Sequence, residues 1–140
     1  MSGPVFLDTN VLVYLFDSSA PAKQKRAQEI LETETRQGQA LLSTQVLQEF
    51  YVAVTRKLTK PLDEKSAERA VHDLASLPIV QVDTPMVLAA VARSRHDRFS
   101  FWDALIVESA VVGRASRIYS EDLQHGRVMD GVRIENPFLK

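Results

Sequence analysis

PVFLDTNVLVYLF, residues 4–16, is the stretch from which the rest of the chain can be read. Val5 to Leu7 reads as a short buried strand, Asp8-Thr9-Asn10 as a turn, and the apolar run after it as the opening of a helix. Asp8 therefore falls at the carboxyl end of a first strand, which is where open α/β sheets bind their ligands. The same acid and Asn10 interrupt the apolar run, so it is too short to cross a membrane, which takes ~20 consecutive apolar residues. Without a basic leader or a small-residue cleavage site, it is not a signal peptide either.

Working outward, β-branched runs alternate with longer helical patterns, the signature of βα units feeding a parallel sheet. Strands are expected at Val5 to Leu7, Leu41 to Ser43, Ile79 to Val82, Arg117 to Ser120 and Val132 to Glu135. Helices open at Pro21 and run to Arg36, at Asp63 before EKSAERAVHDL, and at Thr84-Pro85 before MVLAAVARS. Between Gln45 and Leu58, the residues Leu47, Phe50, Tyr51, Val54 and Leu58 recur at helical spacing and form the stripe that packs on the sheet, leaving Glu49 off it. The segment Phe101 to Val112 is apolar almost all round, so it is buried, either within the monomer or against a second subunit. No repeat, low-complexity tract or long linker divides the 140 residues, and residues 1–140 form one α/β domain.

Composition narrows the function. The chain has no cysteine, which rules out disulfides and thiolate metal sites and makes a reducing cytoplasm the expected setting. Seventeen basic against eighteen acidic residues give a net charge of −1, so any nucleic-acid contact must come from a local patch. His72, His96 and His125 have no zinc-site spacing, and neither a G-x-x-x-x-G-K nor a G-x-G-x-x-G loop is present to cradle nucleotide phosphates. An Asp at the end of a first strand also suggests phosphoaspartate enzymes or receiver domains, although the receiver acid should follow a later strand. Asn10 stands where those enzymes carry a second acid, and no lysine site for a receiver can be placed.

Four acids remain: Asp8, Glu49 in LLSTQVLQEFY, Asp103 in FSFWDALIVESA and Asp122 in RIYSEDL. Gathered at one edge of a parallel sheet they would form an oxygen-rich pocket of the kind that holds hard divalent cations such as Mg²⁺ or Mn²⁺. Each has a plainer reading. Asp8 or Asn10 can cap the helix that follows; Glu49 can lie on a solvated helix face near Arg56; Ser100-x-x-Asp103 resembles a capping box; and Asp122 sits where turns favour Asp, with Glu121 beside it as an alternative. For Asp103, the apolar neighbours Phe101, Trp102 and Leu105 make an unpaired carboxylate costly, which favours a ligand.

In combination and order these motifs resemble the PIN-domain nucleases, and more narrowly the VapC-type toxins of toxin–antitoxin pairs, through VFLDTNVLVYLFD, LLSTQVLQEFYVAVTRK, FSFWDALIVESA and YSEDLQHG. The resemblance implies a five-stranded parallel sheet with helices on both faces. It implies Mg²⁺ or Mn²⁺ held by Asp8, Glu49, Asp103 and Asp122, with Asn10 and Ser120 in support and the fourth acid open between Glu121 and Asp122. It further implies single-stranded or looped RNA, such as tRNA or rRNA, as substrate, an inhibiting VapB-like antitoxin, and a homodimer. The helix from Phe101 to Val112 is the expected self-association surface. The antitoxin is expected to lay a hydrophobic helix in a groove near the helix that carries Leu47 and Phe50, and to reach the carboxylates with a basic residue.

The chemistry expected of such a site is hydrolysis of a phosphodiester by a water that one or two cations activate and orient. It would leave 5′-phosphate and 3′-hydroxyl ends. Arg93, Arg95, His96 and Arg98, just before the helix that carries Asp103, are the candidate phosphate contacts, with a solvated helix end as the plainer reading. Lys23, Lys25, Arg26, Arg56, Lys57 and Lys60 read as solvated helix faces. Two other functions fit the same residues: a housekeeping RNA-processing nuclease without an antitoxin, and a non-catalytic PIN-like binding module, against which stands the presence of all four acids.

Overall fold

The computed structural model describes residues 3–139. The elements are β1 (Val5–Leu7), α1 (Thr9–Tyr14), α2 (Pro21–Arg36), β2 (Ala40–Ser43), α3 (Thr44–Arg56), α4 (Glu64–Ala75), β3 (Ile79–Val80), α5 (Thr84–Asp97), α6 (Phe101–Val112), β4 (Arg117–Tyr119), β5 (Val128–Met129) and β6 (Val132–Glu135). Short apolar strands alternate with capped helices. Ser43, Asp63, Asp83 and Ser100 each accept a backbone N–H from the first turn of the helix they precede, satisfying amides that would otherwise be orphaned.

The strands lie in the order β3-β2-β1-β4-β6-β5. β1 pairs in parallel with β2 on one side and β4 on the other, with Val5 opposite both Ala40 and Arg117. The chain thus walks outward from β1 through β2 to β3, then returns to start the other half at β4. Crossovers keep one hand, so those running in opposite directions place their helices on opposite faces of the sheet. The reversal between β1 and β4 is a topological switch point, where the carboxyl ends of two neighbouring strands open a crevice.

Among the described residues six strands are present rather than five, and the sheet is not wholly parallel: β5 runs antiparallel to β6 at the edge. The physical reason is the turn between them. Asp130 and Gly131 both take positive φ, 50° and 81°, the left-handed pair that closes a tight hairpin and that Asp-Gly favours.

The core holds Val5, Phe6, Leu7, Leu12, Phe50 and Ile118, all buried. α6 is buried within the monomer: Ala104 to Val107, Ser109 and Ala110 are covered, and the helix packs on α5, β2 and β4. Burial within the monomer, mainly under α5, thus accounts for the middle turns of the helix. The exposed apolar residues of this layer are Val87, Leu88 and Val91 of α5, with Trp102 and Val112 at the two ends of α6. The close seating of α6 on the sheet depends on Gly113, where a Cβ would come 2.4 Å from Leu41 Cδ2 and 3.0 Å from Val80 Cγ2. Among the described residues, no helix is long and apolar enough to cross a membrane.

Candidate active site

The crevice at the switch point is lined by side chains from strand ends and helix starts. Asp8 follows β1 directly and is the N-cap of α1, with φ −72° and ψ 161° and its Oδ1 accepting the Thr9 N–H at 2.7 Å. Capping and membership of the acidic cluster are therefore the same geometry for Asp8. Asn10 lies inside α1 and does not cap it. Its Nδ2 faces Asp8 Oδ2 at 3.4 Å, Ser120 Oγ at 3.3 Å and Asp122 Oδ2 at 3.2 Å, while its Oδ1 accepts the Glu121 N–H at 3.0 Å.

Ser120 is the residue after β4, fully buried. Its hydroxyl donates to Asp8 Oδ2 at 2.7 Å and accepts from the N–H groups of Asp122 and Leu123 at 3.1 and 3.3 Å. One oxygen thus ties the β1 end to the turn that carries Asp122. Within that turn the two acids diverge. Asp122 faces Asn10, whereas Glu121 accepts from Tyr14 Oη at 2.6 Å and pairs with Lys23. Burial alone pushes the Glu121 carboxyl up, but the Lys23 ammonium and the Tyr14 hydroxyl hold it below the ordinary range.

Glu49, on the second turn of α3, reaches back to the strand ends. Thr9 Oγ1 donates to its Oε1 at 2.7 Å and Gln45 Nε2 to its Oε2 at 3.2 Å. Gln45 also donates to the Trp102 carbonyl at 3.1 Å and so fastens α3 to the start of α6. Both partners of its amide nitrogen are acceptors, which fixes the amide orientation. Its Oε1 is left without a partner. Asp103 stands in the first turn of α6, where its N–H is capped by Ser100 Oγ at 3.1 Å.

Asp8 and Asp103 both feel the charge of Glu49 and Asp122. Asp8, 6% exposed, is pushed up to about 6 by burial, against the bonds from Ser120 and Thr9, with Glu49 and Asp122 adding repulsion. Asp103 is likewise raised, first by burial and then by Asp122 and Glu49. Carboxylates raised by their neighbours in this way favour a cation among them. The donor set fits a hard divalent ion: carboxylate oxygens, with no thiolate or imidazole in the cluster. Among the described residues no three His, Asp or Glu side chains are gathered closely enough to hold an ion as they stand. Glu49, with both oxygens turned to Thr9 and Gln45, is the member that would have to swing.

Beside the acids runs a cleft of about 720 Å³ between α1, α3 and the start of α6, whose lining includes Val13, Glu49, Val52, Leu58, Trp102 and Asp122. The cleft runs along α3, the helix of Leu47 and Phe50, and is lined there by Val52 and Ala53, while Phe50 itself points into the core. No histidine lines the cleft. The arginine cluster also divides. Arg93 is only 12% exposed and pairs with Glu108 at 3.1 Å, Asp130 at 2.7 Å and Asp97 at 3.8 Å, so its charge is spent inside the fold. Arg95, His96 and Arg98 are exposed. Thr9 and Gln45 went unassigned in the sequence, although Gln45 stands four residues before Glu49, the spacing at which helical side chains meet.

Comparison with known proteins agrees with this architecture. Residues 5–130 match the family model described as the PIN domain, and the chain belongs to that family. Its fold is similar to a toxin–antitoxin complex from Klebsiella pneumoniae, with a TM-score of 0.71 and 19% identity, covering 96% of this chain and 98% of that one. It is also similar to the Mycobacterium tuberculosis toxin VapC20, described as cleaving the sarcin–ricin loop, with a TM-score of 0.67, 18% identity and coverage of 84% and 89%. A third is the DNA-bound VapBC complex of Salmonella typhimurium, with a TM-score of 0.65, 19% identity and coverage of 96% and 98%. No curated protein matches the sequence.

Proposed function

We propose that this chain is a divalent-metal-dependent endoribonuclease that cuts single-stranded or looped RNA, such as tRNA or rRNA, and serves as the toxin of a toxin–antitoxin pair in the cytoplasm. The observation that carries the reading is that Asp8 and Asp103 both lie within reach of the Glu49 and Asp122 carboxylates, which raise them, at the switch point of a PIN fold. Mg²⁺ or Mn²⁺ bound there supplies neutralisation of phosphate charge and acidifies the attacking water. Asp8 and Asp103 are its direct ligands in this reading, and Glu49 and Asp122 either ligate or orient water. Asn10 and Ser120 keep the Asp8 and Asp122 carboxylates turned toward each other. In this reading a water attacks the phosphate, without a histidine along the cleft to activate the RNA 2′-hydroxyl, and the products carry 5′-phosphate and 3′-hydroxyl ends.

The partner reading draws on the toxin–antitoxin complexes that share the fold. An antitoxin segment would lie along the apolar wall of Val13, Val52 and Leu58 and present a basic residue to the acids. A homodimer stays in the proposal, with the outward Val87, Leu88 and Val91 of α5 beside the exposed end of α6 at Val112 as its seam; a monomer in sedimentation at micromolar concentration removes it.

The deciding experiment is RNA cleavage by wild type and Asp8→Asn with Mn²⁺, Mg²⁺ or EDTA, with product ends mapped by sequencing. Metal-dependent cutting that is lost in the variant supports the nuclease. Cutting that survives Asp8→Asn, or ends bearing cyclic phosphate, rejects the site or the mechanism.

A further inference from the structure

The cleft is poorly equipped to hold RNA by charge. Its lining contains Asp17, Glu49 and Asp122 against a single cation, Lys57, and Arg93 is committed to internal pairs. A cation among the carboxylates would engage one phosphate, but the neighbouring nucleotides need another source of affinity.

Trp102 is placed to provide it. It is the sole tryptophan of the chain and the residue before Asp103, and it lines the cleft with Glu49 and Asp122. Its side chain is 61% exposed, although tryptophan is highly buried on average. The ring is nonetheless held. Phe101 meets it edge-on with centroids 5.0 Å apart at 75°, and Gln45 binds its backbone carbonyl. A large aromatic face kept in place and left uncovered is what an unstacked base requires, since every base has a π-face to offer.

We propose that Trp102 is a stacking platform for an unpaired nucleobase of the RNA, next to the phosphate to be cut. This rests on the nuclease reading of the acids and adds to it a reason for selecting unpaired RNA. In a duplex the base faces are already stacked on their neighbours, so only a base splayed from a loop or single strand can use the platform.

The single tryptophan makes binding directly readable by its emission, without any cleavage. Asp8→Asn protein is titrated with oligoadenylate, with the same strand annealed to oligouridylate, and with oligoadenylates carrying an abasic site at successive positions. Quenching by the single strand, weak or absent with the duplex and lost at one abasic position, is expected. Equal quenching by duplex and single strand, or no quenching by any RNA, overturns the proposal; the latter is the result if the platform serves a protein side chain instead.

In the active enzyme, Trp102→Leu should raise KM on the order of 10–100-fold with kcat little changed, and Trp102→Phe should retain most of the affinity. A Trp102→Leu enzyme with wild-type KM also overturns it. Because Trp102 is exposed, a melting curve near wild type is expected for these variants and separates loss of binding from loss of fold. If the wild type cuts nothing, the nuclease reading fails while the emission titration still decides the stacking.

Discussion

Ser120 Oγ and Asp8 Oδ2 stand 2.7 Å apart across 112 residues of chain, and that bond closes the carboxyl ends of β1 and β4 into one site. The same hydroxyl accepts the Asp122 and Leu123 amides, so removing it disturbs two acids at once. Ser120→Ala should lower metal affinity or cleavage roughly 10–100-fold, the usual effect of losing a side chain that orients ligands. Thr in its place should restore much of the loss if the bond itself is what matters. An alanine variant with wild-type metal titration and rate would show the bond to be incidental.

The raised carboxyl of Asp8 predicts how stability depends on pH. With the folded group at about 6 against an ordinary 3.8, the folded state keeps a proton that the unfolded chain releases between those values. Its stabilising effect is present below about pH 4, is lost as pH rises through about 6, and is flat above. The span corresponds to roughly 3 kcal/mol. Asp8→Asn cannot ionise, so its stability relative to wild type should improve as pH goes from about 4 to about 6.5. Urea midpoints across that range test it, and a constant difference would contradict the assignment.

Metal should reverse that ordering. A cation held by the folded site alone stabilises by mass action, so Mn²⁺ should raise the melting temperature of wild type at neutral pH and EDTA should abolish the rise. Asp8→Asn and Asp103→Asn should lose most of the gain. A shift of equal size in all three proteins would place the ion elsewhere.

The divergence of Glu121 and Asp122 gives a sharp pair of variants. Glu121 is turned toward Lys23 and Tyr14, and Asp122 toward Asn10. Asp122→Asn should cut activity roughly tenfold or more, while Glu121→Gln should leave it near wild type. The opposite ranking in a cleavage assay would mean that the turn rearranges on loading.

Much of this fold could be read in the chain because strand ends and helix caps are local signals. Leu7-Asp8, Ser43-Thr44 and Ser100-x-x-Asp103 each mark a boundary with chemistry visible within a few residues. What stayed hidden was decided at a distance or by a short turn. β5 has two residues, too few for a pattern, although Asp130-Gly131 is a hairpin signal in its own right. Asn10 could be read as a cap because only the structure shows Asp8 already occupying that position. Whether α6 faced solvent, a second copy or its own domain depended on α5, whose packing no periodicity within Phe101 to Val112 reveals. Asp97 is one helical turn from Arg93, but its closer partners Glu108 and Asp130 lie 15 and 37 residues away, so a spent charge and a free one look alike in sequence.

That last distinction can be tested directly. Arg93 and Glu108 have side chains 12% and 14% exposed, and Arg93 also reaches Asp130 beside the β5–β6 turn. Arg93→Met therefore leaves a carboxylate buried without its partner and should lower stability by roughly 3 kcal/mol. Adding Glu108→Gln should recover part of the loss, because the uncompensated charge is then gone. The salt dependence of RNA binding should stay as steep as in wild type, since Arg93 holds no phosphate. Neutralising Arg95 and Arg98 together should do the reverse, keeping the urea midpoint and flattening the salt slope by about one for each phosphate no longer neutralised. If Arg93→Met flattens the slope and spares the fold, the pairs around it open when RNA binds, and the arginine belongs to the interface after all.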